Sequence, residues 1–440
     1  MVLDGGRLSD QAVPSVAVGL TCDLLVVGGG PAGAAAAIRG AAAGLSVVVC
    51  DKASFPRDKT CGDGLTTSAL RLLERLGLDP PAVAGWEPVH GVAVRSPSGR
   101  VVDLPLPADG LFAAVAPRAA LDAALLDLAA RRGAEIRQGA ALRSLRPIPG
   151  GMEAIVGNGP VPAPPDDGGP AAGVARAGAA APGGGSVTAR YVVAADGMYS
   201  TVRRLTGVPG PHLGEWHAFR QYFTGVADRR LWVIFEPDLL PGYAWVFPVA
   251  GGRANVGFGL PRRPGVSVRP MAAQWRDLLQ RPALQALLGG AEPEGHHRAW
   301  PIPADLARGP LCSGRVLFAG DAAGATDPMT GEGIGQALLT GVLAAEALAT
   351  DGSDPDAVGR RYRAAVAHHL APDVRFAAAL GAILRSRAGA RAAVRAAGLT
   401  PWTRRHFARW LFEDYPRALV LTPSRWRRGA FTGPGAYRAA

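Results

Sequence analysis

Between Cys22 and Asp51 the sequence spells out a strand, a tight turn, a helix and a second strand, and few other arrangements satisfy it. Residues 22–28 (Cys-Asp-Leu-Leu-Val-Val-Gly) form the near-continuous apolar run of a strand buried on both faces of a parallel sheet. Residues 31–43 are dominated by alanine and glycine, so a helix there packs close to that strand, and Leu45 to Cys50 reads as the next strand. The turn is Gly28-Gly29-Gly30-Pro31-Ala32-Gly33. Gly28 permits the sharp turn, Gly30 lets backbone approach a pyrophosphate, and Gly33 lets helix and strand touch. Pro31 and Ala32 open the helix, whose first N–H groups and dipole favour phosphate. Asp51, 18 residues after Gly33 and followed by Lys52, is placed to accept hydrogen bonds from ribose hydroxyls. A lone G-x-G-x-x-G is weak, but in this strand-turn-helix context it predicts a dinucleotide site.

The remaining length, in a chain of 440 residues, alternates helix and strand signals. A helix is expected over 66–77, a hairpin over 91–104 and a helix from Arg118 to Gly133. Residues 147–186 are rich in Gly, Pro and Ala, with few large apolar side chains, and read as a long loop. Strands are expected at 190–196, within 231–260 and at 315–321, then a helix from about Glu332 to Ala349 and helices after 355. This suggests an N-terminal extension (1–20) and a discontinuous nucleotide-binding domain (21–88, 111–205, 306–350). A second domain (89–110, 206–305) and a helical C-terminal region (351–440) complete the division.

Four cysteines lack metal-ligand spacing, His296-His297 have no ligand-spaced partner, and Cys22 and Cys50 lie in strand-like runs, so no metal site is expected and a reducing cytoplasm fits best. No apolar run is long enough to span a bilayer. The net charge of +11, nearly all from arginine, is most simply a solvated surface; without zinc-finger or basic helix-turn-helix patterns, nucleic acid is not an expected partner. Residues 402–428 mix Trp402, Phe407, Trp410, Leu411, Phe412 and Trp426 with arginines. That composition suits either a helix covering the second domain or peripheral contact with an anionic membrane.

NAD and FAD share the glycine fingerprint, and the later motifs separate them. Asp196-Gly197 and Gly320-Asp321 each follow a buried strand, putting carboxylates where open α/β sheets bind ligands. The run Asp327-Pro328-Met329-Thr330-Gly331-Glu332-Gly333-Ile334-Gly335 then leads into a helix, offering further N–H donors. In this order the motifs resemble the superfamily of class A flavin monooxygenases and geranylgeranyl reductases. The resemblance implies a glutathione-reductase-like FAD-binding Rossmann domain, an antiparallel β-sheet substrate domain and a C-terminal helical region. It implies Arg118 near the cofactor phosphates, Asp321 on the ribityl chain, and Pro328, Gly331, Gly333 and Ile334 beside the flavin pyrimidine.

Two stretches narrow the resemblance. Pro56-Arg-Asp-Lys-Thr-Cys61-Gly62-Asp-Gly64 is similar to the P-x-x-x-x-C-G-x-G element of geranylgeranyl reductases, and Tyr243-Ala-Trp245-Val-Phe247-Pro248 to their Y-x-W-x-F-P motif. Alternate residues of a strand share a face, so Tyr243, Trp245 and Phe247 form either an apolar substrate wall or a face packed on helices. Cys61, near Arg57 and Lys59, is expected either as a thiolate close to the flavin or as an inert loop thiol. The resemblance implies FAD-dependent reduction of carbon-carbon double bonds in an isoprenoid or similar apolar substrate, prenyl, quinone, terpenoid or polyketide, with NAD(P)H or another reductant as transient donor. The alternatives are a flavin monooxygenase acting on a polyketide or terpenoid, and a non-redox flavoprotein that binds or cyclises an apolar compound.

Overall fold

The computed structural model describes residues 21–157, 185–208, 214–262, 270–426 and 431–438. The first strand, β1 (Cys22–Val27), lies between β2 (Val47–Asp51) and the strand Gly185–Ala194, parallel to both. Val316–Phe318 and Glu135–Gln138 extend this parallel sheet on either side. Leu24, Leu25 and Val26 are fully buried, which is why the run carries no polar alternation. Cys22 and Cys50 are free thiols in this core, and burial pushes them up to about 11 and about 12, so they are inert packing groups.

The helix α1 (Pro31–Ala42) is clasped from two sides by backbone. A Cβ on Gly33 would stand 1.8 Å from the Gly28 carbonyl oxygen, and a Cβ on Gly341 would stand 2.1 Å from that of Ala32. Gly341 belongs to the helix Ile334–Asp351, so strand, α1 and this second helix meet with no side chain between them. Gly28 itself has φ +102° and faces the Ala195 carbonyl, where a Cβ would be 2.4 Å away. Tyr362 then ties the helix Pro355–Leu384 to the sheet by donating its hydroxyl to the Phe318 carbonyl at 2.6 Å.

A seven-stranded sheet packs against this unit, in the order 292–302, 216–224, 253–261, 243–249, 231–234, 91–95, 101–105. The expected hairpin is its edge pair Gly91–Arg95 and Val101–Pro105. One pairing departs from the antiparallel expectation: Leu231–Ile234 runs parallel to Gly91–Arg95, because the two are joined by distant crossovers through the first sheet rather than by a turn. The expected loop over 147–186 also needs correction. Gly151–Gly157 is a strand, antiparallel to both Ala141–Ile148 and Gly185–Ala194, and its Met152, Ala154 and Val156 are buried in the core. Four apolar residues within six were enough to make a strand inside a glycine-rich stretch. The rest of that stretch, 158–184, and the extension 1–20 lie outside the described residues.

The C-terminal helices Arg387–Ala397 and Pro401–Leu411 cover the edge of the second sheet: Val394, Ala408 and Phe412 share a core with Val92, Val102 and Leu104. Among the described residues no helix is long and apolar enough to cross a membrane.

Because the α1 clasp leaves no room for a side chain, Gly341→Val is expected to cost at least roughly 1–3 kcal/mol, the usual range for overpacking. Urea unfolding checks this; a midpoint equal to the parent's would show that α1 tolerates a wider separation.

Candidate functional site

A cavity of about 460 Å³ opens at the carboxyl ends of the parallel strands and runs under the strand Tyr243–Val249 of the second sheet. Of the residues singled out from sequence, Gly28, Gly30, Pro31, Ala32, Asp51, Lys52, Cys61, Gly62, Arg118, Asp196, Gly320, Asp321, Gly331, Gly333, Ile334, Tyr243, Trp245 and Phe247 all border it. Gly33 and Pro328 do not. Gly33 is consumed by the α1 contact, and Pro328 is half-buried away from the cavity lining.

At one end α1 presents its first turn. Its N-cap is Gly30, no side chain caps it, and Pro31 occupies the first helical position, so the helix keeps free N–H donors facing the cavity. A Cβ on Gly30 would have only Arg57 Nη2 at 3.6 Å and Arg118 Nη2 at 3.7 Å near it. Both guanidinium groups are held by the fully buried Asp122: Arg118 donates to its two oxygens at 2.8 Å each, and Arg57 stands 3.1 Å away. Two fixed cations flanking a bare helix start form an anion cradle.

The acidic residues divide. Asp51 accepts from Gly29 N at 2.7 Å and Ala53 N at 2.8 Å, which leaves further lone pairs for a ligand. Asp196 is turned to another use than expected. Its carboxylate accepts from Ser200 Oγ, Thr201 N and Val202 N, capping the helix Thr201–Leu205, and burial raises its pKa. The Asp-Gly after that strand serves the next helix first. Asp321 borders the cavity at the start of the turn Gly320–Ala323, and Gly320 N donates to Thr340 Oγ1 at 2.9 Å.

At the other end the Cys61 loop lies flat on the aromatic strand: a Cβ on Gly62 or Gly64 would be 3.4 Å from the Phe247 ring. Tyr243, Trp245 and Phe247 follow one another with centroids 6.0 Å apart at each step, so the wall faces the cavity rather than a helix. Trp245 Nε1 donates to Asn255 Oδ1 at 3.0 Å, and Asn255 Nδ2 donates to the Cys61 carbonyl and to Asp63 Oδ2, both at 2.8 Å. Asp63 also accepts from the Tyr222 hydroxyl and from Arg118 N at 3.3 Å. Fully buried, with φ +64°, it ties loop, sheet and helix together.

Of the two readings of Cys61, its surroundings favour the inert thiol. Burial pushes the thiol up to about 11 despite the opposing effect of Arg118. The cations counted on from sequence are engaged elsewhere, Arg57 with Asp122 and Lys59 over the Trp300 ring at 3.7 Å. Burial drives the Lys59 ammonium down to about 8.

Sequence reasoning missed Asp63, Asn255, Tyr222, Trp300 and Glu332. One signal was available: Lys52 and Lys59 are the only two lysines in the chain, and both border the cavity. His296 and His297 are exposed, and no group of three His, Cys, Asp or Glu side chains is arranged to hold a metal ion among the described residues.

The sequence matches the model of the family described as FAD binding domain over residues 21–351. This chain belongs to that family. The cavity suits the cofactor, with an uncapped helix start between two arginines at one end and glycine backbone lying open along its length. The flavoprotein is an FAD-dependent oxidoreductase, and curated relatives bear reductase names. It is 33% identical over 355 residues to the menaquinone reductase of Mycolicibacterium smegmatis, covering 75% of this chain and 77% of the relative. It is 32% identical to digeranylgeranylglycerophospholipid reductase 1 of Methanopyrus kandleri, covering 74% and 79%. Among solved structures, a geranylgeranyl bacteriochlorophyll reductase-like protein of Thermoplasma acidophilum superposes with a TM-score of 0.72 at 21% identity, over 92% of this chain and 100% of the other. The p-nitrophenol 4-monooxygenase of Pseudomonas putida shares the fold at a TM-score of 0.63 and 19% identity, over 88% and 96%.

Burial lifts the Asp63 carboxyl to about 6, against 3.8 for the ordinary group. Between those values the native state binds the extra proton, so ionising Asp63 erodes stability as pH rises from about 4 to about 6, and the full cost remains above. Asp63→Asn, which tolerates the positive φ, is expected to gain on the parent across that window in urea unfolding. A pH-independent difference between the two would reject Asp63 as the titrating group.

Proposed function

We propose that this flavoprotein saturates carbon-carbon double bonds in the prenyl chain of a quinone or similar lipid. The observation that carries the reading is the Tyr243-Trp245-Phe247 wall, which borders the cofactor cavity and leaves an apolar face beside it. A prenyl chain has no polar group to recognise, so apolar area and exclusion of water must position it. The reductase names of relatives spanning about three quarters of the chain support the same reading.

In this proposal the α1 N-terminus, with Arg57 and Arg118, holds the cofactor pyrophosphate, Asp51 and Lys52 the adenosine end, and Asp321 with the 328–334 loop the ribityl and ring portions. Reduced flavin supplies a hydride equivalent to one alkene carbon. The chain's own part is to hold the alkene against the cavity-facing side of the aromatic wall, and to keep water out. Cys61, neutral, contributes shape rather than charge. An external donor, NAD(P)H or a small redox protein, restores the electrons. Residues 89–110 and 206–305 form the substrate side.

Leu399, Trp402, Leu421 and Trp426 are each more than 60% exposed, on arginine-bearing segments at the C-terminus. Such side chains in water favour contact with a membrane, where a prenyl lipid resides. Trp402→Ser with Trp426→Ser is expected to lower cosedimentation with anionic vesicles several-fold; equal pelleting of parent and double variant would remove the membrane contact.

Anaerobic incubation of the reduced enzyme with menaquinone and geranylgeranyl compounds is expected to give products two mass units heavier per reduced bond. A broad prenyl panel recovered unchanged, or labelled oxygen appearing in a product under air, would replace the reductase reading with a monooxygenase one.

A further inference from the structure

Three carboxylates, Asp327, Glu332 and Glu413, gather near one guanidinium between the cofactor cavity and a second cavity among the helices. Arg417, almost wholly buried, lies 3.4 Å from Asp327 and 2.9 Å from Glu413. Around them Arg71 and Arg409 share Asp414, and Arg425 pairs with Asp373, so four guanidinium groups face five carboxylates. Four positive charges cannot neutralise five carboxylates, and Arg71 and Arg409 are already engaged outside the trio, so at least one acid keeps its proton. Asp327 is the best stabilised anion, accepting from Met329 N at 3.0 Å and from Thr330 N and Oγ1 at 2.8 Å each, besides Arg417. Glu413 has Arg417, Gln336 Nε2 at 3.2 Å and the Thr66 hydroxyl at 3.4 Å. Glu332 accepts from Gly335 N alone, at 2.9 Å.

Glu332 is also the acid of the three that borders the cofactor cavity. Its turn is joined to the aromatic wall, because the Tyr243 hydroxyl donates to the Thr330 carbonyl. On its far side a second cavity, of about 720 Å³ among the helices, is bordered by Gln336 and Glu413. Gln336 Oε1 is buried with no donor in reach among the described residues, an acceptor of the kind that a proton-carrying water fills.

We propose that Glu332 is the acid that protonates the substrate during alkene saturation, and that it is reprotonated from the helix-lined cavity past Gln336 and Glu413. The inference rests on the alkene-reductase reading. Two electrons and a proton arrive as hydride at one alkene carbon from reduced flavin, itself refilled by an external two-electron donor such as a nicotinamide. The other carbon takes the proton from the Glu332 carboxyl, the π bond is lost, and two C–H bonds form. The Glu332 carboxylate left behind recovers a proton from solvent.

Burial, then the charge of Glu413, pushes the Glu332 carboxyl up to about 8, so the acid form prevails at neutral pH. The groups facing it are Glu413 and Arg417 from the C-terminal segment, Asp327 of its own loop, Tyr243 of the sheet and Cys61 of the flat loop.

Glu332→Gln preserves both volume and the acceptor for Gly335 N, and removes only the proton. In the FAD-loaded enzyme, infrared spectra should show a protonated-carboxyl band that fades as pH rises past about 8 and is missing from E332Q. Flavin reduction by dithionite should proceed as in the parent, while anaerobic reoxidation by menaquinone or a geranylgeranyl compound should slow by about a hundredfold or more. Glu332→Asp should restore part of that rate together with its loss at high pH. An unchanged band in E332Q, or parent-like reoxidation, overturns the assignment. So does a high-pH limb that survives E332Q and vanishes in Lys59→Met, since that ammonium also sits at about 8. Parent enzyme that no prenyl compound reoxidises defeats the alkene-reductase reading itself, whereas turnover by the parent with an unimpaired E332Q defeats Glu332 alone.

Discussion

Everything at the cofactor end hangs on how closely α1 can approach its neighbours. Gly33 against the Gly28 carbonyl and Gly341 against the Ala32 carbonyl remove side chains from both contacts, so α1 is located by backbone against backbone. Backbone carbonyls cannot move aside as a flexible side chain can, and the first turn of α1 is thereby fixed in position and direction. The cradle of Arg57 and Arg118 is built around that fixed point through a single buried acid, Asp122, which holds both guanidinium groups. An anion site of this kind is set before any ligand arrives, so binding need not supply the energy of ordering it.

The second junction is polar. Asp63 accepts hydrogen bonds from Tyr222 and Asn255 of the seven-stranded sheet and from the start of the helix Arg118–Arg131, while Asn255 also holds Trp245 and the Cys61 carbonyl. The two halves of the chain therefore share one network at the place where the cofactor cavity meets the aromatic wall. Interior polar networks of this sort fix geometry when every member is satisfied, and here that geometry aligns the Cys61 loop with the Phe247 ring.

Much of this was legible in the residues. The strand-turn-helix at 22–51, the aromatic alternation at 243–247 and the 327–335 loop are short-range patterns whose physical meaning survives folding intact. What sequence reading left open were matters of partnership. Asp196 ends a strand and borders the cavity, yet its carboxylate also caps the helix that follows. For Cys61 the nearness of Arg57 and Lys59 left thiolate and inert thiol both open, and the partners that engage those cations, Asp122 and Trp300, lie far along the chain. Glu332 is unremarkable in a glycine-rich loop, and its setting depends on Glu413 and Arg417, some eighty residues later. Charge balance in a cavity is a three-dimensional sum, and no local spacing encodes it.

The placement of Lys52 and Lys59 reaches into practical chemistry. The other basic side chains of this protein are arginines and histidines, so primary amines on side chains occur only in one chamber. Reagents that acylate or crosslink lysine would act here as reporters on a single chamber, their access governed by whatever fills it. The same property makes amine-based immobilisation a poor choice for this enzyme, because each tether to a side chain would be anchored at the mouth or wall of the cofactor cavity.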